Sequence, residues 1–245
     1  MEWGKVTMEK AGCYDKVYLQ ECMVPHWVRG AKEKGQIIGN KNKGVPAAVC
    51  ALGGSVATPG NKPLRAGVVE VQSLDELKAL PDAAVRGKFI FFNRPFDNAF
   101  IEPGAAYGRA GDQRRSGPAE AGRRGAAGAL VRSLTAANDD YPHTGSTSYG
   151  DTPTKVPAAA LSTVAADQPQ PAAESRPSSW NSSWTMSCQQ LPDEKSYNVD
   201  RRGARHQISR ADYHRGRPPR LVGPGPGRRT TTARAWCRAS RRYVC

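Results

Sequence analysis

The chain has 245 residues, a length that is sufficient for one large or two small folded domains, and 38% of the residues are hydrophobic and 24% charged. No apolar run approaches the about 18 residues that a membrane-spanning helix needs, so we expect no membrane partner. Six cysteines without a C-x-x-C pair give no support to a zinc-finger or thioredoxin-type site.

The positive charge is concentrated at one end of the chain. The formal net charge is +14, and residues 200–245 carry 13 Arg, no Lys and two acidic residues, a net of +11 that leaves +3 for residues 1–199. The Arg-rich end has too few apolar residues to offset chain entropy, so we expect residues 200–245 to be disordered.

The first part of the chain predicts one helix and two strands. Trp3 lies on the apolar face of a short helix that Gly12 is suited to end. Residues 16–23 alternate in the manner of a strand, which Pro25 ends. Residues 45–52 predict a second, buried strand.

The next elements are a strand over residues 66–72 and a short helix. Ser73 and Glu76 have the S-x-x-E spacing of a capping box, in which the hydroxyl and the carboxylate each accept a hydrogen bond from a free backbone N–H group. We therefore expect a helix over residues 76–80, ended by Pro81.

The central stretch predicts a strand, a crossover and a second strand. Residues 88–93 form an apolar run rich in Phe, which is typical of a strand covered on both faces. A polar loop follows, and then Gly117 and Pro118 suit the start of a helix that Gly125 ends. Residues 126–134 resume as a buried strand.

A final strand is predicted over residues 156–162, with Pro157 at a strand start or a sheet edge. An acidic and aromatic loop over residues 138–149 precedes it. After Gln168, prolines block a helix, residues 176–185 have neither a helical nor a strand period, and residues 186–199 briefly recover a regular pattern. Four to six strands with short helices between them indicate an α+β fold.

Eight blocks occur along residues 1–199 in this order: MVPHWVRG, CALGGSVATP, VRGKFIFFNRPF, AYGRAGDQR, GALVRSL, DDYPHTG, VPAAALST and LPDEKSYNV. They resemble, in the same order, the zinc-dependent exopeptidase family that includes carboxypeptidase Q. Single blocks are weak signals, but eight in one order are specific.

The resemblance implies an α/β peptidase domain into which a protease-associated domain is inserted, a mixed sheet or open barrel with short helices. Residues 1–60 then resemble the peptidase segment before the insertion, 61–185 the inserted domain and 186–199 the return into the peptidase domain. It further implies two zinc ions, peptide substrates, a homodimer, and a secreted or periplasmic location. The N-terminus does not begin a signal peptide.

The two zinc motifs of the family, G-H-x-D and H-D-D-G-A-G, do not occur in the chain as written. If one extra base follows the Val199 codon, permitted codons let residues 200–227 read IAEVRGTKYPERIIIVGGHLDSWDLGQG, which contains the first motif. A second slip near Arg228 lets residues 229–239 read HDDGAGVVQS. We therefore expect a peptidase fragment with a frameshifted end, which binds no zinc and hydrolyses nothing by itself.

The family's inserted domain covers the peptidase cleft, so the resemblance suggests cleft-facing residues. The candidates are His143, Asp139, Asp140 and Arg132, none of them as a catalytic residue or a metal ligand. The alternatives are a loop histidine that caps local backbone and an acidic turn that is merely solvated. No G-x-S-x-G or H-E-x-x-H sequence occurs.

Two other classes of function are compatible with the sequence. The first is a stand-alone protease-associated domain that acts as an interaction module, which predicts that residues 61–185 fold alone. The second is a nucleic-acid-binding protein with an Arg-rich arm on the phosphates. The arm has few aromatic residues for stacking, and the alternative reading frame explains its composition, so we expect no specific nucleic-acid partner.

Overall fold

The structure is a computed structural model that describes residues 1–12, 14–38, 44–168 and 181–202. They fall into two compact units, one of Met1–Val24 with residues 194–202, and one of Pro25–Asp193. The first unit contains an N-terminal helix and parts of a two-stranded sheet, and the second contains an eight-stranded sheet with short helices.

The described strands are β1 Lys16–Val28, β2 Lys34–Ile38, β3 Gly44–Pro46, β4 Val49–Ala51, β5 Leu64–Val71, β6 Phe89–Phe92, β7 Gly128–Arg132, β8 Ala158–Leu161, β9 Asn181–Thr185 and β10 Gln189–Arg202. β1 pairs with β10, and the others form one sheet in the order β3-β2-β9-β5-β6-β7-β8-β4. β5, β6, β7 and β8 are parallel neighbours, whereas β9, β2, β3 and β4 pair antiparallel.

The described helices are α1 Glu2–Lys10, α2 Leu74–Ala79, α3 Asp82–Val85, α4 Pro103–Arg115, α5 Gly117–Arg123 and α6 Thr163–Asp167, with a 3₁₀ turn at Pro59–Asn61. Among the residues that the structure describes, no helix is both long and apolar enough to cross a membrane.

The eight-stranded sheet is curled, because consecutive segments of the chain occupy its two ends. β3 and β4 are separated by Ala47 and Ala48 only, yet they stand first and last in the strand order. The Ala47 N–H group donates to Gly35 O within β2, and Ala48 O accepts from Ser162 N after β8.

Each face of the curled sheet carries its own apolar core. One core contains Phe89, Phe91 and Trp184, and the other contains Ile90 and Phe92 among the buried residues of the helical face. All four residues of β6 are therefore buried, alternately toward the two cores, as predicted for a strand covered on both faces. The mixed α+β class is also confirmed.

Several predicted elements are confirmed near the expected positions. Ser73 Oγ accepts from Glu76 N at 3.0 Å and caps α2. Gly117 and Pro118 begin α5, and Gly125 follows it with a φ of +73°. The capping box differs in one bond, since the Glu76 carboxylate accepts from Gln72 N at 2.7 Å.

Several expectations about the elements are wrong. The described residues contain ten strands rather than four to six, and β9 lies in a stretch that was predicted to have no regular period. β1 continues through Pro25 to Val28. The buried strand predicted over residues 45–52 is instead two short strands, of which β3 is exposed, because the chain passes there from one end of the sheet to the other. The predicted polar loop before Gly117 contains α4.

The predicted disordered segment begins too early, because residues 200–202 belong to β10. The remaining residues of that segment, and with them the region of the predicted frameshift, lie outside the described residues. The compact second unit is also wider than the predicted inserted domain over 61–185, because β2, β3 and β4 are part of its sheet. The assignment of residues 1–60, 61–185 and 186–199 to two domains stays a prediction.

Candidate functional site

Polar side chains line the edge of the sheet at which the parallel strands end. A chain of side-chain hydrogen bonds crosses this edge and connects Glu70 of β5, Asn93 after β6 and Arg132 of β7. Asn93 Nδ2 donates to Glu70 Oε1 at 2.8 Å, and Arg132 Nη1 donates to Asn93 Oδ1 at 3.2 Å. Ligands of open α/β sheets bind at such carboxyl ends, so this edge is the candidate functional site.

Arg132 is a largely buried charged group of this edge, with 13% of its side chain exposed. Its guanidinium group donates to both carboxylate oxygens of Asp167, over 2.6 Å and 2.8 Å. These hydrogen bonds hold the pKa of Asp167 below its ordinary value. Arg132 therefore joins the end of β7 to the end of α6.

The segment that connects β7 to β8 contains the other predicted residues. Asp139 accepts from Tyr141 N through Oδ1, and its Oδ2 lies 3.6 Å from His143 Nε2. His143 N donates to Ser133 Oγ at 2.8 Å. The structure thus brings Asp139 and His143 together, with 42% of the His143 side chain exposed.

Asp140 has a different partner from its neighbour Asp139. Ser162 Oγ donates to Asp140 Oδ1 at 2.7 Å. Ser162 Oγ also accepts a hydrogen bond from Ala165 N at the start of α6. Asp139 is held to the same helix, since its N–H group donates to Thr163 Oγ1 at 2.9 Å. The acidic turn is therefore fixed to the first turn of α6.

Sequence reasoning missed a second anchor of this connecting segment. Thr144 Oγ1 donates to Ala51 O at 2.8 Å, and Arg29 Nη1 donates to the same oxygen at 2.5 Å. Glu33, with 5% of its side chain exposed, accepts from Ala51 N at 2.8 Å. Arg29 Nη1 also contacts Cys50 Sγ at 2.9 Å, and burial raises the pKa of the Cys50 thiol. The only sequence signal was the spacing of four between Arg29 and Glu33.

The described residues do not fit a two-zinc centre. No group of three or more His, Cys, Asp or Glu side chains comes together within the described ranges. His143 and Asp139 are a single imidazole–carboxylate pair, while Asp140 and Asp167 are bound by Ser162 and Arg132. Zinc centres in proteins use three or four such donors, so no step of a reaction is assigned to a metal at this edge.

No profile of a known protein family matches the chain. Carboxypeptidase Q of Xenopus laevis is 36% identical over 147 residues, which are 60% of this chain and 29% of that protein. Human carboxypeptidase Q is 33% identical over 147 residues, which are 28% of its length.

One solved structure is similar over a larger part of the chain. The crystal structure of a peptidase M28 precursor from Shewanella amazonensis SB2B matches with a TM-score of 0.72 and 30% identity, over 81% of this chain and 43% of its own. The matched parts of the chain are therefore similar to the M28 class of peptidases. Among the curated proteins, the similarity is to carboxypeptidase Q. The chain spans less than a third of the curated relatives that it matches.

Proposed function

We propose that this chain is a fragment of a zinc-dependent metallo-exopeptidase, similar to carboxypeptidase Q, whose substrates are small peptides. The observation that carries the proposal is the 147-residue match to carboxypeptidase Q at 36% identity. The described residues contribute a cover to the enzyme, and the hydrolytic centre belongs to the part of the relatives that lies beyond the match.

The alternative reading frame supplies the residues that such a centre needs. Residues 200–227, read one base later, contain G-H-L-D, and residues 229–239 after a second slip contain H-D-D-G-A-G. Histidine and carboxylate are the donors that paired zinc ions use in hydrolases. The written chain lacks both sequences, so we propose that it has no hydrolytic activity by itself.

The candidate edge has a defined place in this proposal. Asp139, Asp140, His143 and Arg132 face the peptide cleft from the cover, and they orient the substrate without taking part in bond cleavage. Asp139 and His143 are exposed enough to contact a ligand, whereas Arg132 acts through Asp167. The intact enzyme is exported to a secreted or periplasmic location and forms a homodimer.

The test compares the written chain with the full protein that the repaired frame encodes when it is read on to its own stop codon. The gene is resequenced across the Val199 codon, and both proteins are purified with and without added Zn²⁺. We expect dipeptide hydrolysis by the repaired protein only, lost on treatment with a chelator. Zinc-dependent hydrolysis by the 245-residue chain would contradict the proposal, as would an inactive repaired protein that binds no zinc.

A second function, an independently folded interaction module, is favoured by one observation. Residues Pro25–Asp193 form a compact unit with two apolar cores of its own. Because β2 and β4 belong to its sheet, the segment to express is 25–193 rather than 61–185. Cooperative unfolding of that segment, with the same melting temperature as the full chain, would support a module that functions without a peptidase domain.

A further inference from the structure

The segment between β1 and β2 carries two charged side chains that act on one residue of β4. Glu33 Oε1 accepts from Ala51 N, and Arg29 Nη1 donates to Ala51 O and, at 3.3 Å, to Glu33 Oε1. Trp27 stacks on the same guanidinium, with 5.1 Å between Arg29 Cζ and the ring centroid. Two side chains thus bond both backbone groups of Ala51.

These bonds lie on the side of β4 that points away from β8. Antiparallel pairing alternates, and Cys50 pairs with Ala160 while Leu52 N donates to Ala158 O. The N–H and C=O groups of Ala51 therefore point outward, as on an edge strand. Edge strands with free backbone groups attract foreign strands, and covering them by side chains is one way to prevent this.

The same edge holds the connecting segment that carries the candidate residues. Thr144 Oγ1 donates to Ala51 O, the oxygen that Arg29 also contacts. Two residues further along, Gly53 N donates to Gly145 O at 2.7 Å and Thr147 N donates to Gly53 O at 2.9 Å. Thr144 directly follows His143, so the position of the β4 edge determines where the histidine lies.

We propose that Arg29 and Glu33 are positioning residues, which hold the β4 edge in place and thereby fix the segment of Asp139 and His143. Without the buried Glu33 carboxylate, the Ala51 N–H group loses its partner, and an unpaired buried group is costly. The edge then shifts or opens, and the bonds at Thr144 and Gly53 open with it. This inference concerns contacts within the chain and does not depend on the proposed peptidase function.

The experiment measures amide hydrogen exchange by NMR in the full chain and in variants. In Glu33→Ala and in Arg29→Ala we expect the Thr147 amide to exchange about tenfold faster or more, because one or two hydrogen bonds of the edge are lost. The amide of Leu130 in β7, in the middle of the sheet, should keep its rate. The His143 ring resonances should shift in the same variants.

Two further variants keep the test decisive if a substitution prevents folding. Glu33→Gln retains an acceptor oxygen for Ala51 N, so it should keep Thr147 exchange within about threefold of the wild-type rate. Thr144→Ala removes the hydroxyl that donates to Ala51 O and, at 3.5 Å, to Gly145 O, and it should accelerate exchange at Thr147 without changing Leu130. Asp75→Ala, which removes an exposed ion pair with Lys78 on α2, is the matched control.

The inference is overturned by any of three results. Thr147 exchange that is unchanged in Arg29→Ala and Glu33→Ala would show that the edge stands without these side chains. Equal acceleration at Thr147 and Leu130 would show general loss of stability rather than positioning. Failure of Glu33→Gln to restore the wild-type rate would show that acceptance from Ala51 N is not the cause.

Discussion

Arg132 and Asp167 form a two-point ion pair that joins the end of β7 to the end of α6, with N–O distances of 2.6 Å and 2.8 Å. Arg suits such paired geometry, because its planar guanidinium presents two parallel N–H groups, whereas Lys presents one ammonium nitrogen. The pair fixes α6, and Asp139 and Asp140 are bonded to the first turn of that helix. The candidate site therefore depends on an ion pair that is not itself part of the acidic turn.

Replacing Asp167 with Asn should destabilise the chain by at most about 1 kcal/mol at pH 7, because 54% of the Asp167 side chain is exposed and solvent screens the pair. Arg132 lowers the pKa of Asp167 in the folded state. The stabilisation is therefore present above the ordinary aspartate pKa and is lost as the pH falls through the lowered one. Urea unfolding of both proteins at pH 7 and at pH 2 checks this, and an equal difference at the two pH values would contradict it.

Alkaline pH should destabilise the chain through Tyr149. Burial raises the pKa of Tyr149 to about 12, and its hydroxyl donates to Val156 O. Because the folded state resists ionisation, the contribution of Tyr149 is complete below about pH 10 and declines as the pH rises toward 12, by about 1.4 kcal/mol per pH unit.

The measurement is the free energy of unfolding between pH 9 and 12.5 for the wild type and for Tyr149→Phe. The difference between the two proteins isolates the tyrosine from the lysines and the other tyrosines. We expect Tyr149→Phe to be about 1 kcal/mol less stable at pH 8, through the lost hydrogen bond, and the two curves to cross near about pH 11, above which the wild type is the less stable protein. Parallel curves would disprove the assignment.

The cap of α2 gives a prediction that does not depend on any function. Ser73→Ala removes the oxygen that accepts from Glu76 N, which should cost about 1 kcal/mol. Ser73→Asp supplies another good cap acceptor and should be close to neutral. The free energies of unfolding of the three proteins are compared by chemical denaturation. Equal destabilisation by both substitutions would show that an acceptor oxygen at position 73 is not what stabilises α2.

Two glycines should respond to alanine in opposite directions. A Cβ atom on Gly35 would lie 2.1 Å from the Trp184 ring, which is fully buried, so Gly35→Ala should cost about 1–3 kcal/mol or more. A Cβ atom on Gly108, within α4, would meet nothing within 4 Å. Gly108→Ala should therefore stabilise the helix by about 0.5–1 kcal/mol. Thermal unfolding of the two variants gives the comparison, and a stable Gly35→Ala protein would rule out the Trp184 packing.

The buried elements were predictable because their sequence pattern reflects two covered faces. The run of Phe and Ile in β6 admits few structures other than a central strand, and turn chemistry at Ser73 and Gly125 set the ends of α2 and α5. α4 was missed for a physical reason. Its buried positions are Ala106, Ala110, Gly111 and Gln113, so no large apolar residue marks the face that packs.

The candidate site was predictable only in part. Asp139 and His143 are four residues apart in one loop, and their proximity follows from that spacing. The pairing of Arg132 with Asp167, and of Arg29 and Glu33 with Ala51, joins residues that are far apart along the sequence or depends on backbone atoms. Such contacts depend on strand order, and local patterns carry no information about it.

The step from Ala47 to Ala48 connects the two ends of the strand order, since Ala47 bonds to Gly35 of β2 and Ala48 bonds to Ser162 after β8. This two-residue connection is the covalent link between the first and the last strand of the sheet. Connections between strands usually accept extra residues without harm. Here a few inserted residues would separate Ala47 from Ala48, so that their hydrogen bonds to β2 and to the chain after β8 could no longer both form. This two-residue connection should therefore tolerate insertions less well than the far longer crossover between β7 and β8.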